Sequence, residues 1–291
     1  MAKANTKPSN SSSNILEFDI DAIKAREDEV AQETDQSIMD RLRERFQILD
    51  DMTRAVKEGN VRAMIVSGPP GVGKSYGVET VLQKSDLFNT LAEKKPKFEV
   101  VKGAMSAIGL YAKLYEYSAV GNVIVFDDCD SILMEDLSLN ILKAALDSSA
   151  RRFISWNTDS RILRSEGIPD RFEFKGAAIF ITNIKFEHVR SKKLRDHLDA
   201  LESRCHYIDL QMDTTREKIL RIKQIVTDGM LERYDFDNYE IVRDELVEFV
   251  DANQSKLREL SLRMVLKLAD LRKSFPSNWQ AMARTTCMKR S

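Results

Sequence analysis

Three cysteines in 291 residues, Cys129, Cys205 and Cys287, are odd in number and widely separated, which excludes a disulfide framework or a paired zinc site. No uninterrupted apolar run reaches the roughly 18 residues of a membrane span, so no membrane partner is expected. The N-terminus lacks a basic patch leading into an apolar stretch, so the sequence predicts no secretory signal. Together these absences point to a reducing, cytoplasmic setting. Net charge is also lacking: 45 Lys+Arg against 46 Asp+Glu leave −1. Bulk attraction to nucleic acid or a membrane surface is therefore not expected, although a local basic patch stays open. The three histidines, His188, His197 and His206, read as surface or strand-edge residues. Zinc ligands, nuclease-type acid clusters and protease triads are all missing.

What is present suits a globular chain, with 43% hydrophobic and 31% charged residues. Residues 1–35 read as a disordered tail, opening with the low-complexity run Ser9 to Asn14; a docking peptide is the other reading. Ile38, Leu42, Phe46, Leu49, Met52 and Val56 then step by three or four residues, the apolar stripe of a helix that Gly59-Asn60 ends. From Ala63 to Leu210, strand and helix patterns alternate. Strands are expected at Ala63–Val66, Phe98–Val101, Val123–Phe126, Ala178–Ile181 and Tyr207–Leu210. This predicts an α/β core, residues 36–212, with a doubly wound parallel sheet. From Thr214 only helical patterns occur: Ile219 to Met230, Ile241 to Val250, Met264 to Leu271. They predict a small all-helical lid domain over 213–275. Residues 276–291, with Pro276 and Trp279, are left as a tail that packs on the lid or docks a partner.

Gly68, Pro69, Pro70, Gly71, Val72, Gly73, Lys74 and Ser75 fit the pattern G-x-x-x-x-G-K-S between a predicted strand and a predicted helix. Such a loop brings successive backbone N–H groups around phosphate oxygens at a helix N-terminus. Lys74 would reach the β- and γ-phosphates, and the Ser75 hydroxyl would ligate magnesium. The apolar strand from Val123 ends in Asp127 and Asp128, where ligands bind in open α/β sheets. Asp127 would hold Mg2+, and Asp128 would orient or deprotonate the attacking water. Asp130 reads as a solvated acid leading a helix. Asn183, closing the strand Ala178–Thr182, would bond the γ-phosphate and the lytic water.

These motifs, in this order and with a helical domain behind them, resemble the AAA+ P-loop ATPases over about residues 35–275. The resemblance implies ATP and Mg2+ as cofactors, with Tyr76 completing the nucleotide-binding segment. Glu202-Ser203-Arg204-Cys205 is similar to the Ser-Arg-Cys segment of clamp loaders. By that match Arg204 is a finger for a neighbour's γ-phosphate, with Arg190 and Arg195 as rivals. A finger in trans implies self-association into a ring or open spiral, six subunits being the expectation. Ser261-Leu262-Arg263 suits the second sensor, with Arg263 reaching the nucleotide and Arg258 as rival.

Residues 152–156 and 172–174 flank a polar loop bearing Arg161, Arg164 and Arg171. They resemble the hairpin before the first sensor in Clp/Lon-like, MoxR-like and viral helicase branches; a ribbon that only pads the fold is the alternative. Tyr111 falls where unfoldases carry a pore aromatic, or belongs to the core. The stretch from Asp127-Asp128 through Trp156 and Phe172 to Asn183 also resembles small AAA+ ATPases of bacteriophages. The expected activity is ATP hydrolysis driving remodelling or loading of a nucleic-acid or nucleoprotein complex. A protein-remodelling chaperone is the alternative. A slow ATP-dependent assembly switch is another, left open by Asp128 in place of the more frequent Glu.

Overall fold

The computed structural model describes residue 30 and residues 32–186 and 189–290. Most of the expected N-terminal tail, and His188, lie outside the described residues. The first long helix, α1 (Asp35–Lys57), starts where the Thr34 side chain accepts from the Ser37 amide. Of its apolar stripe, Ile38, Leu42, Phe46, Leu49 and Val56 are buried. Then follow β1 (Ala63–Ser67), α2 (Lys74–Ser85), the short α3 (Leu87–Leu91) and β2 (Phe98–Lys102). Next come α4 (Ala107–Glu116), β3 (Val123–Asp127), α5 (Ser131–Met134) and α6 (Asp136–Ala145). A two-stranded antiparallel ribbon, β4 (Phe153–Ser155) and β5 (Arg171–Glu173), encloses the single turn α7 (Arg161–Ser165). The core closes with β6 (Ala177–Thr182), α8 (Lys192–Glu202) and β7 (His206–Asp209).

The five main strands pair in parallel in the order β2-β3-β6-β1-β7. Alternate side chains enter two different cores, which is why these strands read as unbroken apolar runs. Ile65, Ile124, Phe126, Ala178 and Phe180 face the cluster under α4, α5, α6 and α8. Met64, Val66, Val123, Val125 and Ile179 face the cluster under α1 and α2. The order has one functional consequence. β6 is inserted between β1 and β3, so the residue after β6 emerges between those following the other two.

The helical part contains α9 (Thr215–Ile225), α10 (Tyr239–Ala252), α11 (Leu262–Ser274) and α12 (Trp279–Thr286) around a core of its own. The helix expected to run from Ile219 to Met230 stops at Ile225. A π-type turn follows over Val226–Met230, where Gly229 takes φ +97°. Residues 276–290 are not set apart from the lid: Trp279 on α12 is buried and packs on Phe249 of α10, ring centres 4.9 Å apart. α9 is tied to α1 by Arg41, which ion-pairs with the buried Glu217, and by Arg216, which pairs with Asp35. Thr214 and Glu217 form a reciprocal capping box at its start.

Candidate nucleotide-binding site

The glycine-rich loop leaves β1 and enters α2 with Gly71 at φ +71° and Gly73 at φ +104°, conformations that cost an L side chain strain. Gly71 also lies under the lid. A Cβ there would sit 2.6 Å from Ser261 Cβ, and the Leu262 amide donates to Gly71 O at 2.8 Å. Lys74 is buried, and its ammonium uses three donors: on Gly68 O (2.6 Å), Pro69 O (2.9 Å) and Asn183 Oδ1 (2.8 Å). Burial pushes its pKa down to about 8, against the pull of Asp128 and Asp127.

Ser75 Oγ donates to Asp127 Oδ1 at 2.8 Å. Asn183 Nδ2 donates to Asp128 Oδ1 at 2.8 Å. One continuous network therefore joins the loop, the end of β3 and the end of β6, as the strand order requires. Asp128 is in the left-handed region, φ +54°. Such strain in a non-glycine residue is typical of sites where side-chain direction matters.

Asp130 departs from the expectation of a solvated acid. It is half-buried and accepts from Thr182 Oγ1 at 2.7 Å; burial raises its pKa against that hydrogen bond. It sits beneath the site and fixes the turn after β3 to the end of β6.

Among the described residues, no group of three or more His, Cys, Asp or Glu is placed to hold a metal. A cation here would rest on the Ser75 hydroxyl and the Asp127 carboxylate, with phosphate and water oxygens completing its shell. Two hard oxygens already in contact fit magnesium, which keeps several non-protein ligands.

The open side of the loop is a cleft of about 1040 Å³ between core and lid. Pro70, Gly71, Gly73, Lys74, Ser75 and Tyr76 line it, as do Asp127, Asp128, Asn183 and Arg263. Tyr76 is 78% exposed. Arg263, on the first turn of α11, brings its Cγ to 3.7 Å from where a Gly71 Cβ would be. Gly68 and Val72 instead face inward, Gly68 against Leu210 and Val72 in the core beneath α1 and α2.

Arg204 is elsewhere. It precedes β7, whose His206 is in register with Met64 near the start of β1, so Arg204 lies at the sheet edge opposite its own loop. Its guanidinium donates to Ala200 O. Of its rivals, Arg195 donates to Val189 O. Tyr111 is part of the core: fully buried on α4, it donates to Pro169 O at 2.8 Å and meets Trp156 and Phe172 edge-on or tilted. The sequence did not point to Arg221, a buried arginine on α9 that also lines the cleft. Its helical spacing is shared with ordinary lid residues, so no local signal marks it.

No protein-family model matches the chain. It is 33% identical, over 269 residues, to an uncharacterized 36.7 kDa protein from the nrdC-mobD intergenic region of Enterobacteria phage T4, covering 90% of this chain and 78% of that protein. Similar solved structures include the replication initiator DnaA bound to AMPPCP and single-stranded DNA, with 11% identity and a TM-score of 0.45 over 82% of this chain and 63% of that one. NtrX from Brucella abortus in complex with ATP gives 12% and 0.48, over 87% and 53%. The S. cerevisiae Hsp104:casein complex gives 17% and 0.44, over 86% and 41%. The chain thus spans less than two thirds of the length of each of these structures.

Proposed function

The chain belongs to one family with the uncharacterized phage T4 protein, and we propose that it is an AAA+ P-loop ATPase that hydrolyses MgATP to remodel or load a nucleic-acid complex. The observation that carries the ATPase reading is the Lys74–Asn183–Asp128 network beside the Ser75–Asp127 pair. In this reading the amides of residues 71–75 and the Lys74 ammonium bind the β- and γ-phosphates. Magnesium, held by Ser75 and Asp127, would neutralise phosphate charge. Asn183 keeps Asp128 turned towards the cleft, where its free oxygen can accept a proton from an attacking water. Arg263 closes the lid over the phosphates. Arg204 serves the γ-phosphate of a neighbouring subunit, which requires a ring or spiral; six subunits is the proposed number.

The nucleic-acid part rests on the β4–β5 ribbon. Its inner face, Ile154 and Phe172, is in the core, and its outer face carries Phe153, whose ring centre is 4.4 Å from the Arg171 guanidinium and 4.9 Å from that of Arg151, which also pairs with Glu173. Arg161 is exposed on α7, and Arg164 pairs with Asp159. A ring flanked by guanidinium groups suits stacking on bases and pairing with phosphates. The alternative of a protein-threading chaperone is less well supported, because the aromatic it would use, Tyr111, is buried.

Steady-state ATP hydrolysis, with and without single-stranded DNA and with Lys74→Ala as the blank, tests both parts. Stimulation by DNA that is lost in Arg161→Ala/Arg171→Ala supports the reading. Turnover indifferent to DNA overturns the nucleic-acid part, and no turnover above the blank leaves only a nucleotide-binding switch.

A further inference from the structure

Arg221 is a charged group in the cleft for which the hydrolytic network has no task. The residue is only 6% exposed, and its guanidinium carbon lies 3.5 Å from the centre of the Phe46 ring. One terminal nitrogen donates to Gln224 Oε1 at 2.7 Å. The Nε–H is buried with no hydrogen-bond partner. Asp228 and Asp50 attract the guanidinium without hydrogen-bonding to it. Burying a cation with an unmatched donor is unfavourable, and such an exception calls for a cause.

Its surroundings suggest one. Phe46 borders the loop, its Cε1 3.9 Å from where a Gly73 Cβ would be. Asp50 borders the next turn of α2, its Oδ1 3.5 Å from the equivalent point on Gly77. With the triphosphate on the amides of residues 71–75, the rest of a nucleotide must leave along α2, between α1 and the lid. Arg221, Asp50 and Ile225 line that part of the cleft. Arg263 lies at the Gly71 end, beside the phosphates.

We propose that Arg221 is a nucleoside-positioning residue, turning its unmatched donor to a ring nitrogen of the base while Asp50 accepts from an exocyclic amine. Phe46 supports the guanidinium from behind, as an aromatic face supports a cation. The inference rests on the ATP-site reading, since it assigns the other end of the same ligand. It differs in consequence, because a residue touching only the nucleoside has no effect on a ligand that lacks one.

The test compares ATP with inorganic tripolyphosphate, both with Mg2+, by calorimetry on full-length wild type, Arg221→Met, Arg221→Gln and Lys74→Ala. Arg221→Met is expected to weaken ATP about tenfold, the worth of one good hydrogen bond to a charged group. Tripolyphosphate affinity should stay within about twofold. Thermal unfolding without nucleotide tells a binding role from a packing role, and Arg221→Gln decides if the Met variant does not fold. Unchanged ATP affinity, or an equal loss for both ligands, overturns the proposal. Wild type that binds ATP no better than Lys74→Ala is a separate result, and it overturns the ATP-site reading as well.

Discussion

At the scale of single residues, the site depends on Lys74, a buried cation whose three donors are already engaged by the protein. Its pKa, brought down to about 8 by burial, should make the proposed nucleotide binding pH-dependent. A polyphosphate favours the charged ammonium, so above pH 8 ATP can bind fully only by taking up a proton. Affinity should therefore hold steady below pH 8 and fall above it, by up to tenfold per pH unit. Calorimetry in two buffers of different ionisation enthalpy would register this as proton uptake at pH 9 and none at pH 7. A flat profile from pH 7 to 9.5 would mean that Lys74 stays charged in the free protein. Asp128 makes the same point through the backbone. Its left-handed conformation is held by its amide donating to Ile181 O at 3.0 Å, which turns the carboxylate towards Asn183. A spacing pattern carries no trace of that.

At the scale of elements, the β4–β5 ribbon and α4 act as one packed unit. Tyr111 sits under the ribbon against Trp156 and Phe172, with its hydroxyl on Pro169 O. Tyr111→Phe should remove one buried hydrogen bond, cost about 1 kcal/mol in chemical denaturation, and leave ATP turnover unchanged. A collapse of turnover with unchanged stability would instead give Tyr111 a working role. The seam between loop and lid is likewise an element-level contact, since Ser261 both caps α11 and abuts Gly71. The start of α11 and the glycine-rich loop are therefore in direct contact, with the Leu262 amide on Gly71 O.

At the scale of the whole molecule, the sheet separates two chemistries. The loop, Asp127, Asp128 and Asn183 emerge at the carboxyl edge, whereas Arg204 precedes β7 at the other. One copy cannot easily bring Arg204 to its own phosphates. Arg204→Ala should lower turnover by about 10³ while leaving ATP affinity intact. Lys74→Ala should abolish binding. Mixing the two inactive variants should restore part of the activity, because the proposed ring sets an intact loop on one copy against an intact Arg204 on the next. A mixture as inactive as its parts would show that Arg204 acts within its own chain or not at all.

Parts whose chemistry is local could be read along the chain. Successive amides at a strand–helix junction need glycines at fixed spacing, so the loop from Gly68 to Ser75 was legible. The acids at the end of β3 and the amide at the end of β6 were legible because buried parallel strands are continuous apolar runs with abrupt polar ends. The fold class followed from the alternation of those strands with helices. Which of those ends meet depends on the strand order, which spacing does not carry. β6 lies between β1 and β3, and that order alone brings Asn183 between Lys74 and Asp128. Burial likewise depends on the tertiary structure, being a property of neighbours distant in the chain. Tyr111 went to the core, Asp130 under the site, the segment after Phe275 onto the lid, and Arg221 against Phe46, 175 residues away in the chain. Periodicity states that a side chain has a face; packing states what that face meets.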